Sequence, residues 1–149
     1  MPAAVIALGS NLGDREALLD FAVSSLSELP ETRLLAQAGR YDTAPVDVPA
    51  GCEHLRFLNS AVLIETALEP DALLTALNAL EAEAGRIRTV RNAPRPLDLD
   101  IILYEGVESH TERLMLPHPR AAVRDFVLLP LADLGISAED ICANRIPNR

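Results

Sequence analysis

The stretch PLDLDIILY at residues 96–104 constrains this chain more than any other. On an extended strand, residues i and i+2 share a face. Leu97, Leu99 and Ile101 then point one way, and Asp98 and Asp100 the other. The two carboxylates stand about 6.5–7 Å apart along such a backbone. The apolar side chains need a core, whereas paired acids resist burial. The pattern predicts a sheet covered by helices on one side, with the other side open to carry a site.

The remaining elements fit around that strand. Residues 3–8 form a short apolar run ending in Gly-Ser-Asn, which predicts a buried strand. Over 14–29, Leu18, Ala22, Leu26 and Leu29 recur at helical spacing, with Asp14 as N-cap and Pro30 beyond the end. Residues 33–41 read as a second strand. The segment 42–56 contains Pro45, Pro49 and Gly51. Its length suggests a functional loop, with a passive excursion as the alternative. In the third strand, Phe57–Thr66, Leu58, Val62 and Ile64 lie on one face, and Phe57 and Asn59 on the other. A second helix starts near Pro70, buries Leu73, Leu77, Leu80 and Ala84, and stops at Gly85. Residues 97–104 are the fourth strand. Residues 113–116 suggest a β-ribbon, 124–134 a short helix, and 137–149 are weakly patterned. The order is β-α-β-β-α-β. The expected class is α+β: a ferredoxin-like antiparallel sheet with its helices on one face, plus a C-terminal β-ribbon and short helix. Residues 1–149 are expected to form one domain.

Composition narrows the chemistry. The chain has 149 residues, with 13 basic and 22 acidic side chains and a formal charge of −9. Every basic residue is Arg, and Lys is absent. That excludes a Walker-type phosphate loop, a protein-kinase site and Schiff-base chemistry. The acidic balance argues against a nucleic-acid partner. Aromatic residues make up only 3% and Trp is absent, so Leu, Ala, Val and Ile must build the core. Cys52 and Cys142 form neither a disulfide framework nor a zinc motif, which suits a reducing cytoplasm. The first residues lack a basic n-region, and no apolar run approaches the ~20 residues of a membrane helix. No leader and no membrane partner are expected.

Against the overall charge, Arg86, Arg88, Arg91 and Arg95 are clustered with no acid between them. Guanidinium forks grip phosphate oxygens in two places. Asp98 and Asp100 follow directly, and a carboxylate pair suits Mg²⁺ that keeps water and phosphate as its other ligands. The combination points to a nucleoside triphosphate site, with a salt-bridged surface patch as the alternative. The loop 9–15 is either an anion site at a helix N-terminus or a plain capped turn. His118, between Pro117 and Pro119, either meets a phosphate or caps a turn. His54 and His110 read as solvated loop residues. No G-x-S-x-G element supports a hydrolytic triad.

Several motifs appear in one order: ALGSNLGDR, YDTAPV, FLNSAVLIET, LEAEAGRIR, RNAPRPLDLDIILY and LPHPRAAVRDFVLLPL. Across residues 4–134 they resemble the 6-hydroxymethyl-7,8-dihydropterin pyrophosphokinases of folate synthesis. The resemblance implies transfer of an intact pyrophosphoryl group from ATP, the co-substrate, to the pterin hydroxymethyl oxygen, with release of AMP. It implies that Asp98 and Asp100 hold two Mg²⁺ ions and that Arg86, Arg95, Asp98 and Asp100 form the catalytic group. Glu81, Arg86, Arg88, Arg95, Arg113, His118 and Arg124 match the ATP side. Thr43, Ala44, Val46, Phe57, Asn59 and Phe126 match the pterin pocket, with Phe57 and Phe126 sandwiching the ring and Asn59 bonding its edge. Asn92-Ala93 stands where many members carry Trp-Gly. The implied partners are the two small-molecule substrates, with no nucleic acid, and the implied state is a monomer. A different class of reading is a non-catalytic ferredoxin-like module that senses nucleotide or pterin. An RNA-binding module is disfavoured by charge and by strands poor in aromatic residues.

Overall fold

The computed structural model describes residues 1–11, 13–44, 50–51, 56–85 and 96–147. Among them, strands β1 (Ala3–Ser10), β2 (Thr32–Gln37), β3 (Tyr41–Thr43), β4 (Phe57–Thr66) and β5 (Asp98–Tyr104) form one antiparallel sheet. Its order is β2-β4-β1-β5, with β3 also paired to β4. Helices α1 (Arg15–Ser27) and α2 (Pro70–Ala84) supply the crossovers. A separate two-stranded ribbon pairs β6 (Ser109–His110) with β7 (Met115–Leu116). After a 3-10 turn at Ala121–Val123 come α3 (Asp125–Asp133) and α4 (Ala138–Cys142).

Local chemistry explains the helix boundaries. Asp14 Oδ1 accepts the Ala17 N–H at 3.0 Å and caps α1. The buried stripe of α1 is Leu19, Ala22 and Leu26, with Leu18 turned half out. Pro70 opens α2, and Gly85 ends it. Gly85 is extended rather than left-handed, with φ −161°. Glycine is required there for another reason: a Cβ would collide with the ring of Pro96.

The strands divide the core in two. Ala4, Ile6, Leu8, Leu58, Val62, Ile64, Leu99 and Ile101 pack beneath α1 and α2. The alternation predicted for 97–101 holds, with Leu97 and Leu99 buried and Asp98 and Asp100 on the opposite face. The opposite face is not open along its whole length, contrary to expectation. Val5, Ala61, Ile102 and Leu103 pack there against Val127, Leu131, Ile136 and Ile141 of the C-terminal segment. A bulge makes this possible. Val5 pairs Leu103 while Ile6 pairs Ile101, so Ile102 is inserted and joins Leu103 in the second core.

Two further boundaries differ from expectation. The strand predicted over 33–41 is two strands, because backbone groups at Ala38 and Gly39 take partners outside a regular ladder. Ser60 Oγ donates to the Ala38 carbonyl, and the Gly39 N–H donates to Asp133 Oδ2 at 2.9 Å. The segment beyond 137 is not featureless. Ser137 and Asp140 form a reciprocal capping box that starts α4.

Candidate active site

The uncovered end of the second sheet face is built by register. Tyr41 pairs Asn59, Asn59 pairs Gly9, and Gly9 pairs Asp98, so one row crosses β3, β4, β1 and β5. In a neighbouring row, Ala61 pairs Ala7 and Ala7 pairs Asp100. Strand spacing puts the Asn59 and Asp98 backbones about 9–10 Å apart. The strand between them contributes only Gly9 and Ala7, which leaves a trough bounded by an amide on one side and two carboxylates on the other.

The amide side is tightly organised. Asn59 Nδ2 donates to Thr43 Oγ1 at 2.5 Å, which fixes the amide orientation. A Cβ on Gly9 would meet Asn59 Oδ1 at 3.1 Å and Phe57 Cδ1 at 3.7 Å. Phe57 and Asn59 therefore lean over Gly9 from the same strand face. Phe126, at the start of α3, packs against the second core together with Ala7. The Arg124 guanidinium lies 5.5 Å from its ring centroid, a cation–π contact. Ala44 is described and exposed, whereas Val46 lies outside the described residues.

On the acidic side, Asp98 and Asp100 are half-buried. Between them the Leu99 N–H donates to Glu81 Oε2 at 2.7 Å. Glu81 is buried, so its carboxylate ties the end of α2 to β5 between the two aspartates. No group of three or more His, Cys, Asp or Glu side chains with metal-binding geometry occurs among the described residues. A carboxylate pair facing Gly9 and Ala7 fits a hard cation whose other ligands are water and phosphate oxygens.

His118 is held by its backbone. It follows a cis Leu116–Pro117 bond, and its N–H donates to the carbonyl of Ile102, the bulged residue, at 2.9 Å. Its Nδ1 accepts the Arg120 N–H at 3.3 Å, so the neutral ring carries its proton on Nε2. Burial, then Arg124 and Arg120, push its pKa below the ordinary histidine value, with Asp98 opposing. At neutral pH His118 thus offers a neutral N–H donor within the fields of Arg124, Arg120 and Asp98.

Other expected positions fall elsewhere. Arg113 donates to Thr75 Oγ1 at 2.6 Å and to the Asp71 carbonyl at 3.3 Å, which anchors it to the first half of α2. Thr75 precedes Glu81 by six residues, about 9 Å along the helix. Among the described contacts, Arg113 is therefore not gathered with the aspartates. Arg86, Arg88, Arg91 and Arg95 lie outside the described residues. At the loop 9–15, Gly9 and Ser10 belong to β1, Asp14 caps α1, and Leu12 lies outside the described residues. Sequence reasoning passed over Gly9 as the trough floor; a glycine closing an otherwise apolar strand was the available signal.

With that geometry in hand, similarity to known proteins is decisive. The family model for 7,8-dihydro-6-hydroxymethylpterin-pyrophosphokinase (HPPK) matches residues 5–136. The chain belongs to this family. It is 42% identical over 135 residues to the 2-amino-4-hydroxy-6-hydroxymethyldihydropteridine pyrophosphokinase of Methylorubrum extorquens, covering 91% of this chain and 84% of that protein. Identity to the protein of the same description in Bacillus subtilis is 44% over 131 residues, covering 88% and 77%. Among solved structures, a Plasmodium falciparum HPPK-DHPS chain superposes with a TM-score of 0.65 at 15% identity. That match covers 90% of this chain but 40% of the other, and shows the shared fold. HPPK membership makes this chain an ATP-dependent pyrophosphokinase and sets aside the sensing module. Among the described residues no helix is long and apolar enough to cross a membrane.

Proposed function

We propose that the chain transfers the β,γ-pyrophosphoryl group of ATP to the hydroxymethyl oxygen of 6-hydroxymethyl-7,8-dihydropterin, a step of folate synthesis. The new bond joins that oxygen to the β-phosphorus. The bond from the β-phosphorus to the oxygen bridging to the α-phosphate breaks, AMP leaves with the electron pair, and the hydroxyl proton is released. The observation that carries this reading is the row Asn59–Gly9–Asp98. It offers a flat, amide-edged floor for a ring about two strands away from a carboxylate pair.

In this reading Thr43, Ala44, Val46, Phe57, Asn59 and Phe126 bind the pterin. Phe57 and Phe126 contact its faces, and Asn59, held by Thr43, bonds its edge. Asp98 and Asp100 hold Mg²⁺, two ions in all, which when bound neutralises polyphosphate charge and makes the β-phosphorus more electrophilic. Arg86, Arg88 and Arg95 grip the phosphates, with Arg86 and Arg95 acting on the transferring group. His118 offers Nε2–H to a phosphate oxygen, while Glu81 and Arg124 complete the nucleotide side; Arg113, anchored to α2, is not assigned to it. Positioning and charge neutralisation provide most of the acceleration. The sheet order β2-β4-β1-β5, antiparallel throughout, supports a ferredoxin-like description. A monomer in the cytoplasm, where ATP and Mg²⁺ are supplied, is the proposed setting.

Product analysis tests the reaction. ATP and the hydroxymethyl dihydropterin should yield AMP and the pterin diphosphate in equal amounts. ADP as the nucleotide product would overturn it.

A further inference from the structure

A charged network lies at the base of the segment joining β3 to β4. The Asp42 carboxylate accepts from Arg15 Nη2 at 3.1 Å and from Arg56 Nε at 2.5 Å. Arg56 Nη2 reaches back to the Asp42 carbonyl at 3.3 Å, and Arg15 Nη1 donates to the Arg56 carbonyl at 3.1 Å. Three pieces of chain are joined: the start of α1, the middle of β3 and the residue before β4.

Register shows what this network sits beside. Tyr41 pairs Asn59, Asp42 pairs Leu58 and Thr43 pairs Phe57. Asp42 and Leu58 share a face, and Leu58 packs in the first core beneath the helices. Thr43, Phe57 and Asn59 lie on the other face, over the trough. Asp42 is thus turned away from the ring pocket, while its neighbour Thr43 and Arg56's neighbour Phe57 both line it. Among the described residues β3 has three residues and pairs with β4, a ladder too short to hold itself rigidly.

We propose that the Arg15–Asp42–Arg56 network is a positioning device for the pterin pocket: it clamps β3 to β4 from behind and so sets Thr43 beside Phe57 and Asn59. This rests on the function proposed above. Both guanidinium groups hold the Asp42 carboxyl below the usual carboxylate range, so the clamp stays charged at neutral pH. All three side chains are partly exposed, and exposed ion pairs add little to global stability. The clamp therefore acts on local order at the pocket rather than on the fold.

The experiment compares wild type, Asp42→Asn and the charge-keeping variant Asp42→Glu, each with Mg²⁺. Pterin affinity is read by fluorescence titration with a non-hydrolysable ATP analogue present. Nucleotide affinity, KM, kcat and Tm are measured separately. Asp42→Asn should raise pterin Kd and KM about tenfold, as sub-ångström misplacement of binding groups does. It should leave ATP affinity within about twofold and Tm within about 2 °C. Asp42→Glu keeps the charge that both Arg15 and Arg56 bond and should recover most of the lost pterin affinity. Unchanged pterin affinity in Asp42→Asn, an equal loss of ATP affinity, or no recovery in Asp42→Glu would each overturn the clamp. Wild type that binds no pterin would instead overturn the function, so the two failures are distinguishable.

Discussion

The two ends of one sheet face follow opposite rules. At one end Val5, Ile102 and Leu103 present large apolar side chains, and α3 and α4 cover them with Val127, Leu131 and Ile141. At the other end the same strands present Gly9, Asp98 and Asp100, beside Asn59 and Phe57. Covering apolar side chains stabilises the fold at about 25 cal/mol per Å². Covering two carboxylates without compensating partners would cost more than it returned. The switch occurs within β5, between Asp100 and Ile102. A single strand thus supplies both the seat for the C-terminal helices and the acidic wall of the trough. Stability and chemistry should therefore be separable by substitution along it.

The largest effect is expected at the acidic end. Asp98→Ala or Asp100→Ala should lower kcat about 10³-fold, the range seen when a preorganised electrostatic group is lost. Chelation of Mg²⁺ should have a comparable effect on wild type. Tm should move far less than kcat, because neither half-buried carboxylate contributes to the apolar core. Steady-state kinetics paired with thermal melts would show it. Near-normal turnover in the double variant would break the assignment of the acidic wall.

The covered end predicts the reverse. Leu131 has 0% exposure, and Leu131→Ala should cost about 2–5 kcal/mol. For a chain of this size Tm should fall by roughly 5–15 °C. Below the melt, kcat of the folded fraction should stay close to wild type. A large fall in kcat without a shift in Tm would mean that the two ends are coupled.

Between the two extremes stands Gly9, on the floor of the trough. An added Cβ would sit 3.1 Å from Asn59 Oδ1, so the amide must give by a few tenths of an ångström. Gly9→Ala should raise pterin KM about tenfold, since small displacements of positioning groups are felt strongly in binding. ATP affinity should change much less. Equal losses for both substrates would show that Gly9 serves the strand and not the ring.

The two ends were not equally legible from the amino-acid order. The alternation through 97–101 made the acidic wall plain, because period-two patterning survives whatever surrounds it. Phe57 and Asn59 could be set on one face for the same reason. The covering of the second face could not be read. Ile102 joins Leu103 there only because a bulge breaks the period, and α4 rests on a Ser137–Asp140 box in a weakly apolar segment. The break between β2 and β3 depends on Asp133, which reaches the Gly39 N–H and the Tyr41 hydroxyl across more than 90 positions of sequence. Arg15, Asp42 and Arg56 meet for similar tertiary reasons. Arg113 was matched by motif alone, and its contacts with α2 follow from where the ribbon carries it.

The smallest effect lies at the boundary between the two ends, where His118 hangs from the bulge carbonyl of Ile102. Its pKa is lowered by burial and by Arg124 and Arg120, against the pull of Asp98. The unfolded chain therefore binds more protons than the folded chain as pH falls below about 6.5. His118 contributes fully to stability above that pH, and its contribution falls away as pH drops toward its folded value. Compared with His118→Asn, metal-free wild type should lose about 1–2 °C more in Tm between pH 7.5 and 5.5. Asp98→Asn removes the one opposing charge and should lower the His118 pKa further, which an NMR titration of its ring reads directly. An unchanged pKa in that variant would mean that the imidazole is governed by the covered end alone, with no electrostatic link from the bulge to the acidic wall.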